Sequence, residues 1–473
     1  MSQIDFDALL RLLSFTPGEP MLFNSGLFLV LFLLFSAGYA LLSAQRAKAV
    51  RLLYVTAFSY YFYYKNAGAW CCLLAVITLV NYFCALRLDH TERPAARKAW
   101  LWLAVGFMLG QLAVFKYTDF AIGTWCDLTG EPRPDTPALP VLVGISFFTF
   151  QSMSYIIDVY RRQMPATRSL TDFAFFVSFF PTLLAGPILR ARTFLPQLQK
   201  PLCVTQQMLG TGTWFIIIGL FKKCVISDYI SVNFVSRIFD NPALYSGLEN
   251  LLGIYGYALQ LYCDFSGYSD MAIGIALWMG FEIPANFRAP YKSDSITDFW
   301  RRWHISLSSW LRDYLYISLG GNRKGRLRMY FNLFLTMLLG GLWHGASWNF
   351  VIWGSVHGFA LGVHKRFREL LGHDRHYQST GIRRFFAVLL TFHLVCFCWL
   401  FFAGTSFEAS MQMIGQICSN FNPQLLPQFL EGYPLVSALM VGGFVLHFLP
   451  TAWNGKAESL AGRTPLPVQA IAL

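Results

Sequence analysis

The chain has 473 residues, of which 55% are apolar and only 13% charged, against about 25% charged in a soluble globular protein. With a mean hydropathy of +0.45 and 17% aromatic residues, it excludes a disordered protein, a secreted disulfide scaffold and an ordinary soluble enzyme. An all-α, polytopic membrane protein remains, and the excess of 37 Lys and Arg over 25 Asp and Glu reads as cytoplasmic loops facing anionic lipid rather than a nucleic-acid surface.

Apolar runs able to cross or enter a bilayer occupy residues 26–42, 52–64, 69–86 and 99–117, then 139–159, 173–189, 211–225 and 251–281, then 330–343, 348–363, 385–402 and 435–449. This predicts about eleven to twelve membrane segments in one domain spanning 1–473, with a core at 148–358, N-terminal helices at 21–119 and C-terminal helices at 383–450. The run 251–281 is too long for one untilted span and is expected to bend or break near Gly267. The first run lacks a basic segment before it and a cleavage site after it, so it is expected to be a retained span, not a signal peptide. Of the ten cysteines, Cys71, Cys72, Cys84, Cys396 and Cys398 lie inside apolar runs as small hydrophobes. No CxxC pair signals a zinc or redox site.

Loop charges orient the chain. Asp5, Asp7 and Glu19 outweigh Arg11 before the first run, whereas Arg46, Lys48 and Arg51, and then Arg87, Arg93, Arg97 and Lys98, make later loops basic. The loop after 117 is acidic, with Asp119, Asp127, Glu131 and Asp135 against Arg133, and 405–434 has no Lys or Arg. The alternation predicts an extracytoplasmic N-terminus and basic cytoplasmic loops in a multi-pass inner-membrane protein.

Two segments fit no simple span. Residues 173–189 are apolar, yet basic on both flanks (Arg161, Arg162 and Arg168; Arg190, Arg192 and Lys200), and carry Pro181, Gly186 and Pro187. They predict a re-entrant segment beside a cavity open to the cytoplasm. The block from Lys292 to Arg328 is too polar to span. On a helical wheel Phe299, Trp303, Trp310 and Tyr314 form one stripe, Trp300, His304, Leu307 and Leu311 its neighbour, and Arg301, Ser308 and Arg312 the opposite side. That is an amphipathic helix at the inner surface with His304 turned into the protein.

Ionisable groups in membrane segments are costly, and are functional or paired. His344, in Leu342-Trp343-His344-Gly345-Ala346-Ser347, lies between two apolar runs whose outer flanks are both basic: Lys324, Arg326 and Arg328 before, Lys365, Arg366 and Arg368 after. The chain is expected to enter from the cytoplasm, turn at His344 and return. Asn332, Thr336 and Gly340 recur every four residues, a polar or small stripe leading toward the histidine. An imidazole there suits general-base work on an acceptor hydroxyl; a packed, hydrogen-bonded histidine is the plainer alternative. His357 and His364 share a helix face but show no third metal ligand. His393 and His447 read as structural, and His90, His373 and His376 as solvated. Asp264 and Asp270 lie in apolar context and need a partner or a polar cavity; an ion pair with the basic inner-surface helix is expected. Asp158 reads as paired with Arg161 and Arg162. No GxSxG elbow, Walker A loop, Rossmann fingerprint or HExxH occurs.

Tyr291-Lys292-Ser293, the run from Phe299 to Tyr314 (FWRRWHISLSSWLRDY) and Gly320-Gly321-Asn322-Arg323 resemble the hallmark of the membrane-bound O-acyltransferase superfamily. More narrowly, they resemble its bacterial branch, which acetylates alginate and other exopolysaccharides and includes relatives that D-alanylate teichoic acid. Leu342-Trp343-His344-Gly345, Phe180-Pro181 with Ala185-Gly186-Pro187, and the run from Asp264 to Asp270 (DFSGYSD) are similar to further family segments. The similarity is strong over 148–358.

The resemblance implies a helical fold with a funnel or tunnel, His344 as catalytic base and His304 as the second family histidine. It also implies an acyl group moving from a cytoplasmic thioester (acetyl-CoA or an acyl carrier protein) to an extracytoplasmic glycan, with a separate extracytoplasmic protein as partner and no bound cofactor or metal. Asn332, Thr336, Trp343, Ser347, Trp303, Asp264 and Asp270 are the expected channel residues. A transporter of an acyl or glycan precursor and acylation of a lipid or protein are the alternative functions.

Overall fold

The computed structural model describes residues 6–44, 48–135, 139–140, 142–372, 377 and 379–465. Asp5, Arg46, His373 and His376 lie outside the described residues. The described residues are helical and contain no strand. They divide into two compact units, Met1–Thr213 with Met271–Pro284 and Thr464–Leu473, and Trp214–Asp270 with Ala285–Arg463.

The helices of the first unit are α1 (Phe6–Leu13), α2 (Gly26–Ala44), α3 (Lys48–Ala67), α4 (Cys71–His90), α5 (Pro94–Thr129), α6 (Ile145–Tyr160), α7 (Leu170–Ser178), α8 (Phe180–Leu183) and α9 (Ala191–Gln199). Helices α2 and α5 and the α3–α4 pair are long and apolar enough to cross a membrane. Their outer faces expose Leu33, Leu34, Trp102 and Leu103, as a lipid-facing surface requires. Within 173–189 the helix breaks at Phe179 and ends after Leu183. Phe180 is wholly buried, and the rings of Phe23, Phe28, Phe32, Phe35, Phe58 and Phe62 surround it with centroids 5.0–6.5 Å away. Gly144, at φ +82°, lets the start of α6 approach the Leu183 carbonyl so closely that a β-carbon would stand 2.6 Å from its oxygen. Arg97 donates to the carbonyls of Leu88 and Tyr160, satisfying backbone acceptors at the ends of α4 and α6.

The second unit takes in α10 (Gln206–Leu220) from Trp214 onward, α11 (Ser236–Asp240) and most of α12 (Gly247–Trp278). Between α10 and α11, residues Phe221–Asp228 and Ser231–Val235 widen into π-helical turns. Helix α12 runs without interruption through Gly267, so of the bend or break expected there the break does not occur. The missing side chain serves close packing instead, since a β-carbon on Gly267 would lie 2.7 Å from the Gly219 carbonyl oxygen.

The basic block 292–328 is not one helix. It comprises α13 (Ile296–Arg302), α14 (Ile305–Trp310) and a π-helical stretch Leu311–Tyr316, because His304 adopts a left-handed backbone with φ +43° and stops the first helix. The expected faces survive the break: Phe299, Trp303, Leu307, Trp310 and Tyr314 are buried, and Arg301 and Arg312 are exposed.

Next come α15 (Arg326–His344), α16 (Trp348–Leu370), α17 (Gly381–Ala403), α18 (Phe407–Ser419), α19 (Leu426–Gly432), α20 (Pro434–Phe448) and α21 (Thr451–Arg463). Of these, α17 can span by itself, and 423–448 forms a pair bent by 104°. Four helical segments among the described residues thus pass as spans by length and apolarity, five with the bent pair. Other runs of the sequence reading are helices that are shorter, more polar or packed within protein.

Candidate active site

The site begins with a helical hairpin. Helix α15 ends at His344, residues 345–347 turn, and α16 returns. Glycines allow the two helices to touch: a β-carbon on Gly354 would stand 2.6 Å from the Met337 carbonyl oxygen, and one on Gly358 2.9 Å from the Phe334 α-carbon. The basic ends of the hairpin come together, and Tyr330 Oη donates to Glu369 at 3.2 Å. The expected turn at His344 is therefore present.

The His344 ring is half-buried. Trp343, Trp353 and Phe402 meet it edge-on, with centroids 4.8, 5.1 and 5.2 Å away. Trp343 also lies 6.1 Å from His304, so one indole stands beside both histidines. His304 is buried; Phe265 meets its ring edge-on at 4.6 Å, and its Nδ1 lies 3.2 Å from Asn286 Oδ1. Burial first, and then the neighbouring His344, hold the His304 imidazole well below its ordinary value, so it is neutral.

Both histidines lie within residues 23–402. That stretch matches the membrane-bound O-acyltransferase family. The chain belongs to this family. It is 42% identical over 458 residues to the probable alginate O-acetylase AlgI of Pseudomonas putida, covering 94% of this chain and 90% of that protein. It is 36% identical to the peptidoglycan O-acetyltransferase of Helicobacter pylori, covering 83% and 79%. It is 34% identical to the teichoic acid D-alanyltransferase of Bacillus subtilis, covering 59% and 73%. The protein is a multi-pass membrane acyltransferase.

Beneath the hairpin of this acyltransferase lies a cavity of about 860 Å³ within the second unit. Trp300, Ser308, Leu311, Thr336 and Met337 form part of its wall, and Arg301, Arg312, Lys365 and Arg368 make it basic against Glu369. Thr336 lies eight residues before His344 on α15, about 12 Å along the axis at 1.5 Å per residue.

The other expected channel residues are placed as follows. Asn332 is buried and donates to the Gly321 carbonyl at 3.1 Å, holding the turn that precedes α15. Trp303 packs against Trp399 at 4.9 Å and Phe287 at 5.1 Å. Ser347 is half-buried and precedes α16 in extended backbone. Asp270 pairs with Lys222 at 2.6 Å, and Asp264 pairs with Lys223, which also reaches Asp228 at 2.8 Å. The carboxylates thus take partners from the π-helical stretch after α10, not from the inner-surface helix expected to supply them.

His357 accepts from Trp300 Nε1 at 3.3 Å and His364 bonds Thr297 at 2.9 Å; among the described residues no three metal-ligating groups converge. His393 bonds Tyr255 and His447 accepts from the Tyr291 N–H, both structural roles as expected. Sequence reasoning passed over Lys222, Lys223 and Asn286. The two lysines carry a readable signal, charge at the end of an apolar run; Asn286 carries none.

Proposed function

We propose that this chain O-acetylates a cell-surface polysaccharide, taking the acetyl group from a cytoplasmic thioester and delivering it to a hydroxyl on the extracytoplasmic side. The single observation that carries the reading is the half-buried His344 imidazole at the hairpin turn, with Trp343 joining it to His304. The names of the Pseudomonas putida and Helicobacter pylori relatives, both O-acetyl transfer to a glycan, support the acceptor class.

In this reading the acceptor oxygen attacks the thioester carbonyl carbon. The new C–O bond forms as the C–S bond breaks, and the His344 imidazole takes the hydroxyl proton and returns it to the departing thiolate. Neutral His304 holds a reacting group by hydrogen bond. The cavity under α15 and α16 receives the donor: its Arg301, Arg312, Lys365 and Arg368 suit the phosphates that acetyl-CoA and a carrier-protein arm both bear. Thr336 and Met337 in its wall lie on the helix that ends at His344. The acceptor is a glycan or a partner transferase on the outer side, and the alternating loop charges support an inner-membrane protein with an outer N-terminus.

The test is His344→Ala in cells lacking the native copy, with O-acyl esters counted on surface glycans and membrane abundance followed in parallel. The expected result is normal abundance with the esters gone. Esters at the wild-type level in that variant would overturn the mechanism.

A further inference from the structure

Asn286 sits in the segment between α12 and α13, eighteen residues before His304; its side chain meets the histidine and its main chain bonds the next residue, Ile305. Its carbonyl accepts from the Ile305 N–H at 2.9 Å, and two residues on, the Arg288 N–H donates to the Arg302 carbonyl at 3.0 Å. These bonds bracket the residue that carries φ +43°, a conformation that a non-glycine side chain rarely adopts and that clusters at functional sites.

The side-chain contacts determine more. The Ser306 backbone N–H, which can only donate, lies 3.2 Å from Asn286 Oδ1, and the Ser306 hydroxyl lies 3.0 Å from the same atom. At the other end, Asn286 Nδ2 donates to the Ser269 hydroxyl on α12 at 3.3 Å. The amide therefore cannot be turned the other way round without setting its NH2 group against the Ser306 N–H, a donor against a donor. An amide oxygen accepts and does not donate, so the His304 Nδ1 at 3.2 Å must carry the hydrogen. The other ring nitrogen, Nε2, is left as the basic one.

We infer that Asn286 is a positioning residue for acyl transfer: it holds His304 in the Nδ1–H tautomer, so that Nε2 accepts the hydrogen bond by which His304 holds a reacting group. This rests on the functional reading above, which gives His304 a place at the reacting groups. Around the ring, α12 contributes the Phe265 face-to-edge contact, and α15 contributes the Trp343 indole and the His344 imidazole, the titratable group that couples to it.

Two measurements separate the inference from that reading. In full-length protein in lipid with ¹⁵N-labelled imidazoles, the His304 signals, assigned by their loss in His304→Asn (asparagine tolerates the left-handed backbone), should show a protonated Nδ1 and an unprotonated Nε2. In Asn286→Leu they should shift toward the opposite tautomer or a mixture. A wild-type ring protonated at Nε2, or an unchanged tautomer in Asn286→Leu, overturns the inference whether or not the protein transfers acetyl groups. The second measurement is the pH profile of O-acetyl transfer. Asn286→Asp, which still accepts from Nδ1–H and makes the ring more basic, should stay within about tenfold of wild type, with its acid limb moved to higher pH. Asn286→Leu should lose about a hundredfold in kcat with KM little changed. Wild-type rate and profile in both variants, with His304→Asn inactive, removes the positioning role and leaves the enzyme reading intact; full activity in His304→Asn removes the role of His304 itself and this inference with it.

Discussion

Gly341 faces Gly354 so closely that a β-carbon on Gly341 would stand 3.0 Å from the Gly354 α-carbon, and nearer still to the Phe350 carbonyl oxygen. Both obstacles are backbone, which cannot swing aside as a side chain can. The contact sets the spacing of α15 and α16 one turn before His344, and so sets where the imidazole stands. Gly341→Ala should therefore force the helices apart, costing about 1–3 kcal/mol and at least tenfold in transfer rate through a displaced base. Thermal unfolding in detergent and the ester yield at matched abundance check both; unchanged values would mean the turn adjusts independently of the helix contact.

Lys222 and Asp270 form a mostly buried pair, with the Tyr262 ring 5.6 Å from the ammonium group. Removing one partner strands the other charge. Lys222→Ala alone is expected to lose about 3–5 kcal/mol, whereas Lys222→Met combined with Asp270→Leu should recover most of it. The double variant should also keep acyl transfer, since the pair ties α12 to the π-helical stretch after α10. A stable double variant without transfer would instead put Asp270 in the substrate path.

The place of His344 was legible because its signals are local: glycines beside it, a four-residue polar stripe before it, and basic flanks on both runs. The faces of residues 299–314 were legible too. A helical wheel sorted Phe299, Trp303 and Trp310 inward, and it kept working although the helix is broken. The break was not legible, because it depends on the Asn286 grip on His304 across a loop. The continuity of α12 was not legible for a related reason. Gly267 can serve as a hinge or as a place of contact, and only the approach of Gly219 decides which. The partners of Asp264 and Asp270 were missed because pairing across helices follows from packing, not from spacing along the chain.

Asp294, just before α13, accepts from both the N–H and the hydroxyl of Ser379, at 3.2 and 2.7 Å. Burial works to raise its carboxyl, but these bonds, one from Ser295 and the more distant Arg384 hold it below the ordinary value of 3.8. A depressed folded pKa contributes stability that is fully present above the unfolded value and is lost as pH falls through the folded one. The wild-type protein should therefore lose stability as pH drops below about 3.8, more steeply than Asp294→Asn, which has no charge to lose. Unfolding temperatures in detergent between about pH 5 and pH 3 test this; parallel curves for the two proteins would show that the carboxylate contributes nothing there.

The basic cavity makes the sharpest demand on the donor reading. Arg301 and Arg312 are exposed at its wall, one on α13 and one on the π-helical stretch after α14, and a cation on a donor phosphate binds ground state and transition state alike. Arg301→Ala should then raise the KM for the thioester about tenfold, equivalent to about 1.4 kcal/mol, and leave kcat nearly unchanged. Added salt should narrow the gap between variant and wild type, because exposed charges are screened. Steady-state kinetics against donor concentration at two ionic strengths decide the matter. If kcat falls while KM holds, the arginine acts in the chemical step or in the fold, and the donor enters elsewhere.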